Sequence, residues 1–223
     1  MGRVAARRES WRISHKGRIG RRVALPYDGA VDMVVLCGSY LLGTFPTAAL
    51  VARLTGHDPT AEGSGNPGAS NVYRVAGAKA GMIVFLGDVA KGALATSAGR
   101  AAGGPRLGLA AGLAAVVGHV FPAFRRFRGG RGVATAGGTV LVLEPRLALP
   151  FVIAWVAVAR LTGKASLASL LVIGSVPMAT AALRRPRWEV AGFSALAALV
   201  LARHGDNLER LLRGEELPLR AEQ

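Results

Sequence analysis

Residues 107–131 read LGLAAGLAAVVGHVFPAFRRFRGGR: eighteen nearly unbroken apolar and small residues, then four arginines within seven positions. A helix needs about 20 apolar residues to cross the roughly 30 Å hydrocarbon core of a bilayer. An abrupt basic loop is what the cytoplasmic end of such a helix carries. The pattern recurs. Apolar segments run over 31–52, 80–98, 107–124, 132–143, 147–159, 165–183 and 188–202, with short Arg-, Gly- and Pro-rich stretches between them. They predict an all-α polytopic membrane protein of about seven transmembrane helices. Segments 132–143 and 147–159 are short for a perpendicular span, so each is a half-span or extends past its apolar edge. No stretch alternates as a barrel strand would.

Composition agrees. Half of the 223 residues are hydrophobic and only 18% are charged, yet the net charge is +15. In an apolar chain such cations face anionic lipid or an anionic substrate. Nucleic acid does not fit, because no basic helix is interleaved with aromatics and only 6% of residues are aromatic. One cysteine and four histidines without ligand spacing predict no metal, and no motif implies a cofactor. Cys37 sits in an apolar run, where packing is its expected role. Small residues at Ala110–Ala115 and Gly137-Gly138 predict close helix contacts.

Residues 1–30 differ, with eight Lys+Arg and neither a long apolar core nor a cleavage site. They read as a basic extension, or as sequence upstream of a start at Met33; residues 31–217 form the helical domain and 218–223 a tail. Alternating the loops between sides puts thirteen cations on one side and six on the other, leaving the extension aside. The positive-inside rule then places the N-terminus outside and the C-terminus in the cytoplasm. With the extension counted, the charges nearly balance and the rule decides nothing.

Three polar clusters fall on the cation-rich side. In EGSGNPGASNVYR, residues 62–74, backbone amides near Ser64, Gly65, Asn66 and Asn71 can join Arg74 around an anion, since glycine permits the close approach a nest requires. Such a stretch is also what an ordinary flexible loop looks like. The second cluster, Arg125 to Arg131 with Gly129-Gly130, suits phosphate, which arginine holds bidentately; a basic loop on lipid headgroups is the alternative for Arg125 and Arg126. In the third, His204 and Asn207 stand one helical turn apart, whereas Glu209, Arg210, Arg213, Glu215 and Glu216 read as a solvated helix terminus. Within the second segment, Asp88 and Lys91 share a helix face, as a structural ion pair or part of a polar pathway.

Taken together, these motifs resemble the PlsY family, the bacterial integral-membrane glycerol-3-phosphate acyltransferases that use acyl phosphate. The resemblance spans about residues 33–217. It rests on Gly43-Thr-Phe-Pro-Thr47, the 63–74 stretch, Leu86-Gly-Asp-Val-Ala-Lys-Gly92, Gly118-His-Val-Phe-Pro122, Phe127 to Thr135, Ser166-Leu-Ala-Ser169, and His204 through Glu215. It implies a seven-helix fold in the bacterial plasma (inner) membrane with a cytosol-facing site, and a role in phospholipid synthesis. Acyl phosphate and glycerol 3-phosphate would be the substrates, with no cofactor and no obligate protein partner. Carried over position by position, it implies Ser64, Arg74, Arg131, Ser169, His204 and Asn207 around phosphate, shaped by Gly65, Asn66, Asn71, Arg128, Gly129 and Gly130. Ser64, Arg131, His119 and His204 would act in catalysis. The family usually has lysine where this chain has Arg128 and Arg131, and a fork-shaped guanidinium does not simply replace an ammonium.

The base stays open between His119, His204 and a substrate phosphate, since no carboxylate is evidently placed to orient either ring. The His-and-acid spacing of soluble-donor acyltransferases has no match; His57 with Glu62 comes nearest. An organic-phosphate transporter would also combine spans and arginines, but should show internal repeats. A lipid-binding scaffold would have no use for Ser64, Asn66, Asn71 and Asn207.

Overall fold

The computed structural model describes residues 29–219, so the basic extension lies outside the described residues except for its last two positions. The described chain is helical, with no strand among the described residues. α1 (Gly29–Gly43) and α2 (Thr47–Thr55) divide the first apolar segment, expected to be continuous over 31–52. The cause is Pro46, which supplies no N–H and forces the preceding residue out of the helical region. α3 (Ala69–Val120) is three rods in one helical stretch, interrupted by positive φ at Gly77 and by Gly103-Gly104. Pro105 then opens the third rod, where a missing N–H costs nothing. α4 (Val133–Leu143), α5 (Pro145–Thr162), α6 (Ala165–Ala182), α7 (Arg187–Ala202) and α8 (Gly205–Arg213) complete the chain.

Seven apolar helices therefore match the seven segments, counting α1 and the second and third rods of α3. α4 is short, with 11 residues, while α5 extends past its apolar edge to 18. Two further helices escape the apolar pattern: the first rod of α3 (69–76) and α8.

α3 packs along α1 and α4, α6 along α7, and α5 covers α4 and α6. Backbones approach closely where small residues were expected. A Cβ on Gly138 would strike the Val89 carbonyl, and one on Gly92 the Thr135 carbonyl, so α3 and α4 cross backbone to backbone. Gly43 and Gly118 do the same for α1 and α3. Gly137, by contrast, faces open space. The interior divides into layers. Leu109, Val140, Val176 and Phe193 form one cluster; Val116, Val120, Ala136, Ile173, Leu196 and Val200 form the next. The outward faces are apolar too, as Val34, Ile83, Leu149, Ile153 and Met178 illustrate. Lipid, not water, suits that surface. Cys37 is on it, not in the packed interior expected from sequence.

Charges mark both ends. Glu144, buried between α4 and α5, pairs with Arg185 between α6 and α7, fastening the end opposite the polar clusters. At the other end the chain folds back after α8. The Leu219 N–H donates to the Gly163 carbonyl at 2.7 Å, and the Pro218 carbonyl accepts from Arg74 Nε at 2.8 Å. The folded unit thus runs past residue 217, where a tail was expected.

Gly138→Ala should destabilise the protein by about 1–3 kcal/mol, since neither backbone can retreat without unpacking the crossing. Gly137→Ala should stay within about 0.5 kcal/mol. Thermal unfolding in detergent compares the two.

Candidate active site

All three polar clusters meet at one end of the bundle. The 63–74 stretch is held by Asn71, which is 2% exposed. Its Oδ1 accepts the Ser64 N–H at 2.9 Å and Arg74 Nη1 at 2.9 Å, while its Nδ2 donates to the Pro59 and Glu62 carbonyls. Asn71 therefore organises the loop and aims Arg74; expected as a phosphate ligand, it has every polar atom committed inside the protein. Gly63 has φ +59, and a Cβ there would run into the Asn71 amide, so the turn is built around that side chain. Among the described residues the Ser64 hydroxyl has no hydrogen-bond partner, and neither has the half-buried Asn66 side chain, which leaves both suited to a ligand.

The arginine loop divides its members. The Arg128 side chain is exposed and has no hydrogen bond or ion pair among the described residues, and with Arg126, Phe124 and Phe127 it forms an amphipathic rim suited to lipid headgroups. Its expected place at phosphate is not supported. Gly129 and Gly130, buried, were expected to shape the phosphate cradle by letting arginine approach. Their N–H groups bond to the carbonyls of Val120 and His119 at 3.1 and 3.2 Å, capping the end of α3. Arg131 behaves differently. It is partly buried, its side chain has no hydrogen bond or ion pair among the described residues, and burial together with Arg210 pushes its pKa down to about 10 despite Glu216 and Asp206 nearby. A desolvated guanidinium without a partner is costly, and an anion relieves that cost.

Around Arg131 stand residues from α7, α8 and the returning arm. His204, in the junction between α7 and α8, donates from Nδ1 to the Val200 carbonyl at 2.7 Å, which leaves Nε2 as an acceptor. Burial, and then the Arg131 charge among its neighbours, hold its pKa below the usual imidazole value, although the Val200 bond opposes this. Asn207 Nδ2 donates to Glu216 Oε1 at 2.8 Å, and Arg210 Nε to Glu216 Oε2 at 3.1 Å. Arg203 lies 5.5 Å over the Phe121 ring. Asn207 Oδ1, Arg210 Nη2, Arg203 Nε and Ser166 Oγ are buried without partners. Reading Arg210 and Glu216 as a solvated helix end missed them, because only the fold-back of 214–219 turns them inward. Glu209 and Arg213 do form the exposed pair expected of such an end.

His119 belongs to a neighbouring cluster. Lys91 Nζ is 2.7 Å from Asp88 Oδ1, donates to the Phe45 carbonyl at 2.8 Å, and lies 3.5 Å from His119 Nδ1. The ammonium thus satisfies a carbonyl freed at the Pro46 break. Asp88 Oδ1 is 3.7 Å from the ring, so a carboxylate does stand beside His119, contrary to expectation. The ring supports Gly130, whose Cβ, if present, would overlap it. A polar cavity lined by Asp88, Lys91, His119 and Arg125 lies on this side of the glycines. His57 and Glu62 pair at 3.0 Å on an exposed loop. Ser169 is buried and bonded within the protein, donating to the Ala165 carbonyl and accepting from Trp155 Nε1.

If Arg131 is the anion-binding guanidinium, Arg131→Ala should weaken phosphate binding about 10- to 150-fold, as for a charge-assisted bond. Arg128→Ala should leave it within about twofold, as for an exposed cation. The rise in melting temperature with added inorganic phosphate measures both.

Comparison with known proteins bears on this arrangement. A family model described as glycerol-3-phosphate acyltransferase matches residues 33–214. A glycerol-3-phosphate acyltransferase of Thioalkalivibrio sulfidiphilus is 44% identical over 184 residues, covering 82% of this chain and 91% of the relative. That of Desulforudis audaxviator is 42% identical over 190 residues, covering 84% and 96%. The crystal structure of PlsY, an integral membrane glycerol 3-phosphate acyltransferase, in its glycerol 3-phosphate form superposes with a TM-score of 0.80 at 34% identity, over 84% of this chain and 94% of that one. Its lysophosphatidic acid form gives 0.78. With half the chain and more matched at this identity, and with the apolar helices and cationic end in place, the protein belongs to the integral-membrane glycerol-3-phosphate acyltransferase family.

Proposed function

We propose that the protein transfers an acyl chain from acyl phosphate to the sn-1 hydroxyl of glycerol 3-phosphate, giving lysophosphatidate and inorganic phosphate. The observation that carries this reading is the unpaired, desolvated Arg131 amid Arg74, Arg203 and Arg210. Both substrates are anionic phosphates, and their mutual repulsion is the first obstacle to reaction. A cationic layer that is pre-formed and partly buried removes it without reorganising at the moment of transfer. Ser64, Arg74, Arg131, His204 and Asn207 are the ligands we assign. Asn207 Oδ1 and His204 Nε2 are acceptors suited to a glycerol hydroxyl.

The donor assignment follows from what the site does not need. Acyl phosphate is a mixed anhydride whose phosphate leaves readily, so no covalent acyl-enzyme is required. The sn-1 oxygen bonds to the acyl carbon, the bond from that carbon to the phosphate oxygen breaks, and its electron pair departs with phosphate. The hydroxyl proton passes to His204 Nε2 or to the departing phosphate. Positioning of two bound reactants supplies up to about 7–11 kcal/mol in ideal cases, which suits a site rich in orienting groups.

We place the site at the cytoplasmic face of a bacterial plasma membrane, with the N-terminus outside, because the arginine-rich loops gather at that end. No protein partner is needed for this chemistry.

Purified protein should form lysophosphatidate with acyl phosphate, and not with acyl-CoA or acyl carrier protein as donor; turnover with either of the latter instead would overturn the donor assignment. If His204 is the base, kcat/KM should fall on the acid side with a midpoint below the ordinary imidazole value of 6.5, because the buried ring stays neutral until lower pH. His204→Asn should remove that limb, and its survival would give the proton to phosphate.

A further inference from the structure

Ser169 and His204 stand at one level of the bundle. Ile173, four residues after Ser169, and Val200, four before His204, belong to the same apolar cluster, against which Val133 also packs. Arg131, His204 and Ser169 thus share a polar layer one turn beyond an apolar floor. Ser169 is 5% exposed, and its hydroxyl donates to the Ala165 carbonyl at 2.9 Å and accepts the Trp155 indole N–H at 2.9 Å. Trp155 comes from α5, the cover helix, whose Leu149, Val152, Ile153 and Val156 face outward. Leu147 and Phe151 begin its inward stripe by packing on the Phe193 cluster. Trp155, the next residue of that stripe, meets a hydroxyl instead.

We propose that Trp155 is a positioning residue for acyl transfer: its N–H holds and polarises the Ser169 hydroxyl, which then donates to a substrate phosphate oxygen. This rests on the reading of the site given above. A serine hydroxyl has one hydrogen and two acceptor positions. With the indole filling one acceptor position, the hydrogen still rotates between two targets. Without an anion it rests on the carbonyl one turn back, the usual resort of a helical serine. A phosphate oxygen carries charge and is the stronger acceptor, so a bound substrate draws the hydrogen across. The indole N–H has the Ser169 oxygen as its one hydrogen-bond partner among the described residues, and it keeps that partner whichever way the hydroxyl hydrogen turns. A donor bonded into the hydroxyl oxygen also strengthens the bond that hydroxyl donates.

The alternative is a staple that merely ties α5 to α6. A double-mutant cycle on the full-length protein separates the two: wild type, Trp155→Phe, Ser169→Ala and the double variant, each with KM and kcat for both substrates and a melting temperature. Phenylalanine keeps the bulk of the ring and removes the N–H. Positioning predicts that Trp155→Phe raises KM for one phosphate substrate about fivefold, the size of one lost hydrogen bond. In the Ser169→Ala background the same change should do nothing further. Independent, multiplying effects would overturn the proposal, as would a lowered melting temperature with both KM values unchanged. If the wild type does not use acyl phosphate, the donor assignment fails separately. The same cycle is then read from the melting-temperature rise with inorganic phosphate, where loss of coupling between the two positions overturns the positioning role.

Discussion

Positive charge gathered in a partly buried place, with little negative charge among the described residues to balance it, is the constraint on which this structure turns. Arg74, Arg131, Arg203 and Arg210 converge at one end of an apolar bundle, and among the described residues Glu216 is the one carboxylate hydrogen-bonded to them. Such a cluster is expensive to bury, and a fold tolerates it only where an anion completes it or where the surroundings hold it rigidly. The second condition is visible here. Asn71 fixes Arg74, Glu216 fixes Asn207 and Arg210, and the Phe121 ring faces Arg203. Of these four, Arg131 is left without an anchor among the described residues, and the first condition, a bound anion, is what we propose for it.

Two clusters share the Gly129-Gly130 loop from opposite sides. On one side Asp88, Lys91 and His119 repair the backbone where Pro46 breaks the first helix, and they support Gly130. On the other, Arg131 joins the cationic cluster. The glycines serve this division by their size: the loop can lie directly on the imidazole and on the end of α3. Their amides are spent on helix carbonyls, so binding falls to side chains.

Much of the fold was legible because hydropathy is a strong signal over long stretches, and the segments at 80–98, 107–124 and 165–183 each found a helix. The first segment misled because a Thr-Phe-Pro interruption barely lowers its apolarity while ending the helix. The rod at 69–76 was hidden by its own polar residues, Ser70, Asn71 and Arg74, which break up the apolar run although Ala69, Val72 and Ala76 give it a packed apolar face. At the site, residue types indicated an anion, but not which atoms were free. A glycine amide reads the same whether it faces a ligand or caps a helix, and Asn71 reads the same whether it binds a substrate or a loop. Arg210 and Glu216 were unreadable for another reason: beside a helix end, charged residues normally belong to water, and only the path of the chain after Gly214 removes it.

That path has a temporal side. Ribosomes deliver a polypeptide from its amino end, so every span can enter the bilayer before Glu216, Pro218 and Leu219 have emerged. Until they dock across that end of the bundle, Asn207 and Arg210 lack the Glu216 carboxylate and Arg74 lacks its carbonyl anchor. Insertion and maturation are in this sense separate events, and a nascent protein already seated in lipid would still lack the last struts of its cationic end.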